Sequence, residues 1–210
     1  MSNSKHSPEY LKEYFALATV FGSFVVALSF AITSAAWTFD AVAAHAGQNH
    51  DDVLSFNEAG ELIRPTGYRE WIYLGTPVTP NDMNNGKAPF PEFHNVYMPQ
   101  SAFEAYSTTG EYPEGTVLVK ELVSVGTKKA TSGKGYFMGE FIGLEVAIKS
   151  AARFPDEPGN WAYFSFGHSY PLAEKAAPQP TIVCNTCHDA SADEDWVFSQ
   201  YYPVLRASKP

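Results

Sequence analysis

The run Cys184-Asn185-Thr186-Cys187-His188, close to the C-terminus, constrains this chain more than any other feature. C-x-x-C-H is the spacing of covalent c-type haem attachment. Each thiol adds across one vinyl group of the porphyrin, and the adjacent imidazole serves as an axial ligand of the iron. Other readings of the pair exist. A thioredoxin-like dithiol needs a βαβ context, and only 22 residues follow His188. A zinc half-site would need further ligands scattered elsewhere, because the chain has no other cysteine. A local disulfide would leave His188 unexplained. The expectation is one c-type haem, bound through Cys184 and Cys187 and ligated by His188.

The 210 residues suffice for one domain with a substantial core, plus an appendage. Tyr14 to Phe39 contains no charged residue and is long enough to span a bilayer as a helix. Ala44-His45-Ala46 then offers an A-x-A cleavage site. Residues 1–46 are therefore a signal peptide or an N-terminal membrane anchor, 47–54 a linker, and 55–210 the haem domain. Both N-terminal readings export the domain, which places it in the periplasm. This agrees with haem attachment of this kind outside the cytoplasm. From Gly47 onward there are 12 Lys+Arg and 20 Asp+Glu, a formal charge of 12 − 20 = −8. That balance argues against nucleic acid and is compatible with a basic electron-transfer partner.

Apolar runs rich in aromatic and β-branched residues alternate with glycine and proline. Strands are expected at 70–75, 93–98, 116–125, 136–149 and 161–166, with a hairpin joining the third and fourth. A short helix is expected at 101–107, with Ser101 as N-cap, Glu104 at the capping-box position and Gly110 as terminator. A second is expected at 191–201, stopped by Pro203. The sum is an α+β domain, a predominantly antiparallel sheet with a few helices packed on one side, and haem near the C-terminus. This layout excludes two haem folds. Small electron-transfer cytochromes c carry the motif early and a Met ligand after it, whereas no methionine follows His188. Four-helix cytochromes c′ need long helical periodicity that this body lacks. With no evident sixth ligand, the iron is expected to be five-coordinate, which suits catalysis or gas binding.

Two charged groups interrupt apolar strand faces. Lys120 lies between Leu118 and Leu122 on one face of 116–125, and Glu121 breaks the other. Burial would push the Lys120 amine toward its neutral, nucleophilic form; an edge strand would instead let it reach water. In 136–147, Phe137, Gly139, Phe141, Gly143, Glu145 and Ala147 share one face. The glycines would leave room between two rings for a planar group. Glu145 would then be a proton-handling carboxylate, or simply the ion-pair partner of Lys120 or Lys149.

GYREWIYLGTPVTPNDMNNGKAPF, FHNVYM, GTVLVKELVSVG, GYFMGEFIGLE, FPDEPGNWAYFSF, C-x-x-C-H and WVFSQYYPVLRA together resemble the cytochrome P-460 family, in order, from about residue 55 to about 207. The resemblance implies an antiparallel β domain, usually a homodimer. It also implies hydroxylamine oxidation to nitrous oxide or nitrite, with nitric oxide chemistry and electrons passed to a soluble cytochrome c. It implies a bond from Lys120 to a porphyrin meso carbon, Glu145 as distal carboxylate, His188 as proximal ligand, and Cys184 and Cys187 as thioether positions. His94 stands where a characterised type of member has arginine, and the resemblance gives it no role. The sister β-type cytochromes c′ share the fold and bind nitric oxide, but lack both the cross-link and the acid. Lys120 and Glu145 together favour the enzyme.

Overall fold

A computed structural model describes residues 53–210. The proposed signal peptide or anchor at 1–46, and most of the linker, lie outside the described residues. Among the described residues no helix is long and apolar enough to cross a membrane.

The strands are β1 (Leu62–Ile63), β2 (Ile72–Gly75), β3 (Phe93–Met98), β4 (Val117–Val125), β5 (Lys129–Ala130), β6 (Gly133–Lys134), β7 (Met138–Lys149), β8 (Trp161–Ser165) and β9 (Lys175–Ala176). Three α-helices accompany them: α1 (Gln100–Thr109), α2 (Thr181–Ser191) and α3 (Pro203–Ser208). The main sheet has the order β2-β3-β4-β7-β8, antiparallel throughout. β5 and β6 form a small ribbon inside the β4–β7 connection, and β1 pairs with β9. The fold is α+β, as expected.

Both faces of the sheet are covered, which explains why its inner strands read as nearly continuous apolar runs rather than alternating ones. One face buries Val117, Val119, Leu144, Val146, Ala162 and Phe164 against Leu62, Tyr68 and Phe166. The other buries Val96, Leu118, Trp161 and Tyr163 against Ala102 and Tyr106 of α1 and Leu205 of α3, with Cys184 of α2 packed alongside. All three helices thus lie on one side. Helix α1 ends where expected: Gly110 takes a left-handed conformation (φ 74°), and its N–H bonds to the Tyr106 carbonyl at 2.7 Å. Its start differs, because Pro99 is the N-cap residue and no side chain caps the helix, so Ser101 belongs to the first turn.

Three expectations are corrected. No helix spans 191–201. Asp195 (φ 43°) and Trp196 (φ 59°) adopt left-handed backbone that a right-handed helix cannot pass through, and Pro203 begins α3 instead of stopping a helix. Lys120 does not sit on an edge, since β4 is the third of five strands. Finally, the glycines of β7 do not frame a planar group. Leu122 pairs with Gly143 but Val123 pairs with Phe141, so Ile142 is a bulge residue that sends Phe141 to the opposite face from Glu145. A Cβ on Gly143 would lie 2.7 Å from both the Gly167 carbonyl oxygen and Leu122 Cδ1, and one on Gly139 would lie 2.5 Å from Ser124 Oγ. The chain's own neighbours fill that space.

Candidate functional site

Antiparallel pairing places partners on the same face, and one such row is Val96, Lys120, Glu145 and Ser165. It lies on the helix-covered side. The neighbouring row holds His94, Leu122 and Gly143. Lys120 and Glu145 face each other across β4 and β7 and form an ion pair through Nζ and Oε2. The Lys120 ammonium also lies 5.1 Å from the centroid of the Phe90 ring. The other oxygen of the Glu145 carboxylate, Oε1, lies 3.1 Å from His168 Nε2. His168 is half exposed, so it connects a largely covered carboxylate to solvent. Burial raises the Glu145 pKa, but Lys120, and less strongly His168 and His94, outweigh it and hold the carboxyl below its ordinary range. Lys120 thus reverses the upward shift that burial alone would give Glu145.

His94 lies largely covered beside this pair. Desolvation, with Lys120 adding to it, lowers its pKa to about 4, and its Nε2 has no hydrogen-bond partner. Glu92 Oε1 lies 3.9 Å from that nitrogen, and burial pushes the Glu92 carboxyl upward. Glu121, one residue from Lys120, points the other way. It is enclosed, and it accepts hydrogen bonds from Tyr68 Oη at 2.7 Å and Arg69 Nε at 2.9 Å.

Helix α2 carries the C-x-x-C-H run. Asn185, between the cysteines, is buried and donates to the Trp161 carbonyl at 2.9 Å, pinning the helix to β8. Both thiols are free, Cys184 half buried and Cys187 exposed. Among the described residues no cluster of three or more His, Cys, Asp and Glu side chains could hold a metal ion, which leaves the zinc half-site without ligands. The His188 ring packs between Tyr163 at 4.4 Å and Phe198 at 4.6 Å, centroid to centroid. Its Nδ1 lies 2.7 Å from the Trp196 carbonyl oxygen. A carbonyl only accepts, so Nδ1 carries the hydrogen and Nε2 presents a lone pair. Burial lowers the His188 pKa despite the opposing pull of that bond, which keeps the lone pair available.

Cys184 packs in the same cluster as Leu118, which shares its strand face with Lys120, and Tyr163, so the sheet row and α2 border one region. Two free thiols at the right spacing and an adjacent imidazole with a fixed tautomer are what covalent haem attachment asks of a protein.

The sequence model of one family, Cytochrome P460, matches residues 65–199, more than half of the chain. The chain belongs to the cytochrome P460 family. It is accordingly a haem protein of the P460 type, a family with covalently bound c-type haem in which some members oxidise hydroxylamine. No match was found among curated proteins. Within this P460 domain, sequence reasoning missed His168, Asp195 and Trp196. His168 follows a strand in a Gly-His-Ser loop, and nothing in its local pattern points to Glu145. Asp195 sits in an acidic run that reads as solvated surface.

Proposed function

We propose that this P460 protein is an exported mono-haem enzyme that oxidises hydroxylamine to nitrous oxide or nitrite and passes the electrons to a soluble cytochrome c. The observation that carries this reading is the Lys120–Glu145 pair, set on the sheet face against which α2 and its Cys184 pack. When bound, the haem supplies a redox-active iron able to take a small nitrogenous ligand.

The chain's own residues supply the rest. Cys184 and Cys187 would provide the two thioether sulfurs, and His188 would offer its Nε2 lone pair to the metal. Glu145, ionised and next to His168, accepts protons as hydroxylamine is oxidised, and His168 passes them toward solvent. Lys120 is assigned the extra bond to the porphyrin that the family resemblance implies, which would leave Glu145 paired with His168. His94, neutral near pH 7, offers a hydrogen bond to a small ligand without adding a charge. The periplasm, an N-terminal tether or cleaved leader, and a homodimer complete the proposal.

The test is the reduced-state absorption spectrum of the haem-loaded protein together with its intact mass. A Soret band far to the red, a third covalent tie at Lys120 and turnover with hydroxylamine are expected. Two ties only, an ordinary Soret band and nitric oxide binding without hydroxylamine turnover would overturn the enzyme reading in favour of a β-type cytochrome c′ function.

A further inference from the structure

The carbonyl that holds His188 comes from an improbable piece of backbone. Asp195 and Trp196 both have positive φ, 43° and 59°. Two successive non-glycine residues in this region cost energy that surrounding contacts must offset. Those contacts are present. Lys149 at the end of β7 places its Nζ 2.6 Å from Asp195 Oδ2, and the same ammonium donates to the Tyr112 carbonyl at 3.0 Å. Trp161 Nε1 at the start of β8 donates to Asp195 Oδ1 at 3.4 Å. Gly159 has no side chain where the Trp196 ring lies, since a Cβ there would come within 2.3 Å of Cε3. Tyr163 Oη gives the Trp196 carbonyl a second donor at 3.4 Å. The turn is thus clamped to β7 and β8, and it presents the Trp196 carbonyl to His188 Nδ1 in a short bond.

We infer that Asp195, anchored by Lys149 and Trp161, is a positioning residue that holds the Trp196 carbonyl on His188 and thereby sets how strongly this imidazole donates to the iron. The physical link is direct. A hydrogen bond from Nδ1–H to a fixed acceptor increases the negative character of the ring, strengthens donation from Nε2 and favours the oxidised metal. A looser carbonyl weakens all three effects. The inference rests on the haem and axial-ligand reading above, and adds to it a source of redox tuning outside the ligand itself.

Two substitutions in the haem-loaded, full-length protein test it. Asp195→Asn removes the ion pair but keeps a residue at ease with positive φ, so the turn can still form. Lys149→Met removes the cation while keeping most of the aliphatic stem. Both should raise the midpoint potential and lower the iron–histidine stretching frequency of the reduced protein. Lys149→Arg should restore both readouts toward the parent values. Breaking the Lys175–Glu61 surface pair by Lys175→Gln should move neither. An iron–histidine band present in the parent but unmoved, with an unmoved potential, in folded Asp195→Asn and Lys149→Met would overturn the inference alone. Absence of that band from the parent would overturn the axial-imidazole reading and the inference with it.

Discussion

His94 makes this domain sensitive to mild acid, and the size of the effect can be worked out. Its pKa falls from an ordinary 6.5 to about 4 because desolvation penalises the imidazolium and Lys120 repels it. Between these values the unfolded chain binds a proton that the folded chain refuses. Stability therefore rises with pH across the window and is lost as pH falls through it. The full difference corresponds to about 3 kcal/mol, of which about 2 kcal/mol is already lost by about pH 5. Two neighbours act as well. The lowered Glu145 pKa adds to acid destabilisation at the low end, while the raised Glu92 pKa opposes it, since folding favours protonated Glu92. Comparison with His94→Gln cancels most of both. Urea unfolding of the haem-free domain, in which Lys120 is a free ammonium, from about pH 7 to about pH 5 should show the parent losing about 2 kcal/mol more than the variant. Parallel stability curves over that range would refute the argument, and would mean that His94 is solvated or protonated in the native state.

Other perturbations have equally direct readouts. Glu145→Gln should lower hydroxylamine turnover by about a hundredfold, the lower end of what a positioned proton acceptor contributes, with the covalent haem ties intact by mass; a parental rate would make Glu145 structural. Gly143→Ala forces a methyl to 2.7 Å from the Gly167 carbonyl and from Leu122, and to 3.3 Å from His168 Cα. It should cost about 1–3 kcal/mol and lower Tm by about 2–4 °C for each kcal/mol. Tyr68→Phe removes a donor from the enclosed Glu121 carboxylate and should cost about 1–3 kcal/mol in denaturant unfolding, with no change in the haem spectrum.

What the sequence revealed follows from which interactions are local. Strands β3, β4 and β8 are legible because burial on both faces demands unbroken β-branched and aromatic runs. The same demand makes Lys120 and Glu121 conspicuous. The haem motif is legible because its chemistry fixes the spacing. Helix α2 was hidden because Asn185, a polar residue, is its buried anchor, while Ile182 and Val183 are exposed, which inverts the usual amphipathic pattern. The glycines of β7 misled because a one-residue bulge at Ile142 changes parity, and nothing in the local sequence marks it. His168, Asp195 and Trp196 act through partners 23, 46 and 8 residues away, so only the folded chain brings their contacts into being.

Parity also explains why two neighbouring glutamates have different fates. Glu121 and Glu145 lie on adjacent strands, one facing the enclosed Tyr68–Arg69 side and the other facing α2. A one-residue slip of β7 against β4 would turn Glu145 to the Glu121 side. Two carboxylates would then share a buried face with a single guanidinium, and Lys120 would lose its ion-pair partner across the strand. Like charges brought that close in a region of low dielectric cost several kcal/mol, roughly the whole stability of a domain. The Lys120–Glu145 pair therefore rejects the wrong register as well as furnishing the reactive side chains. Its disruption is expected to loosen the sheet and impair the chemistry together, whereas Glu145→Gln, which keeps a hydrogen bond to Lys120, should separate the two.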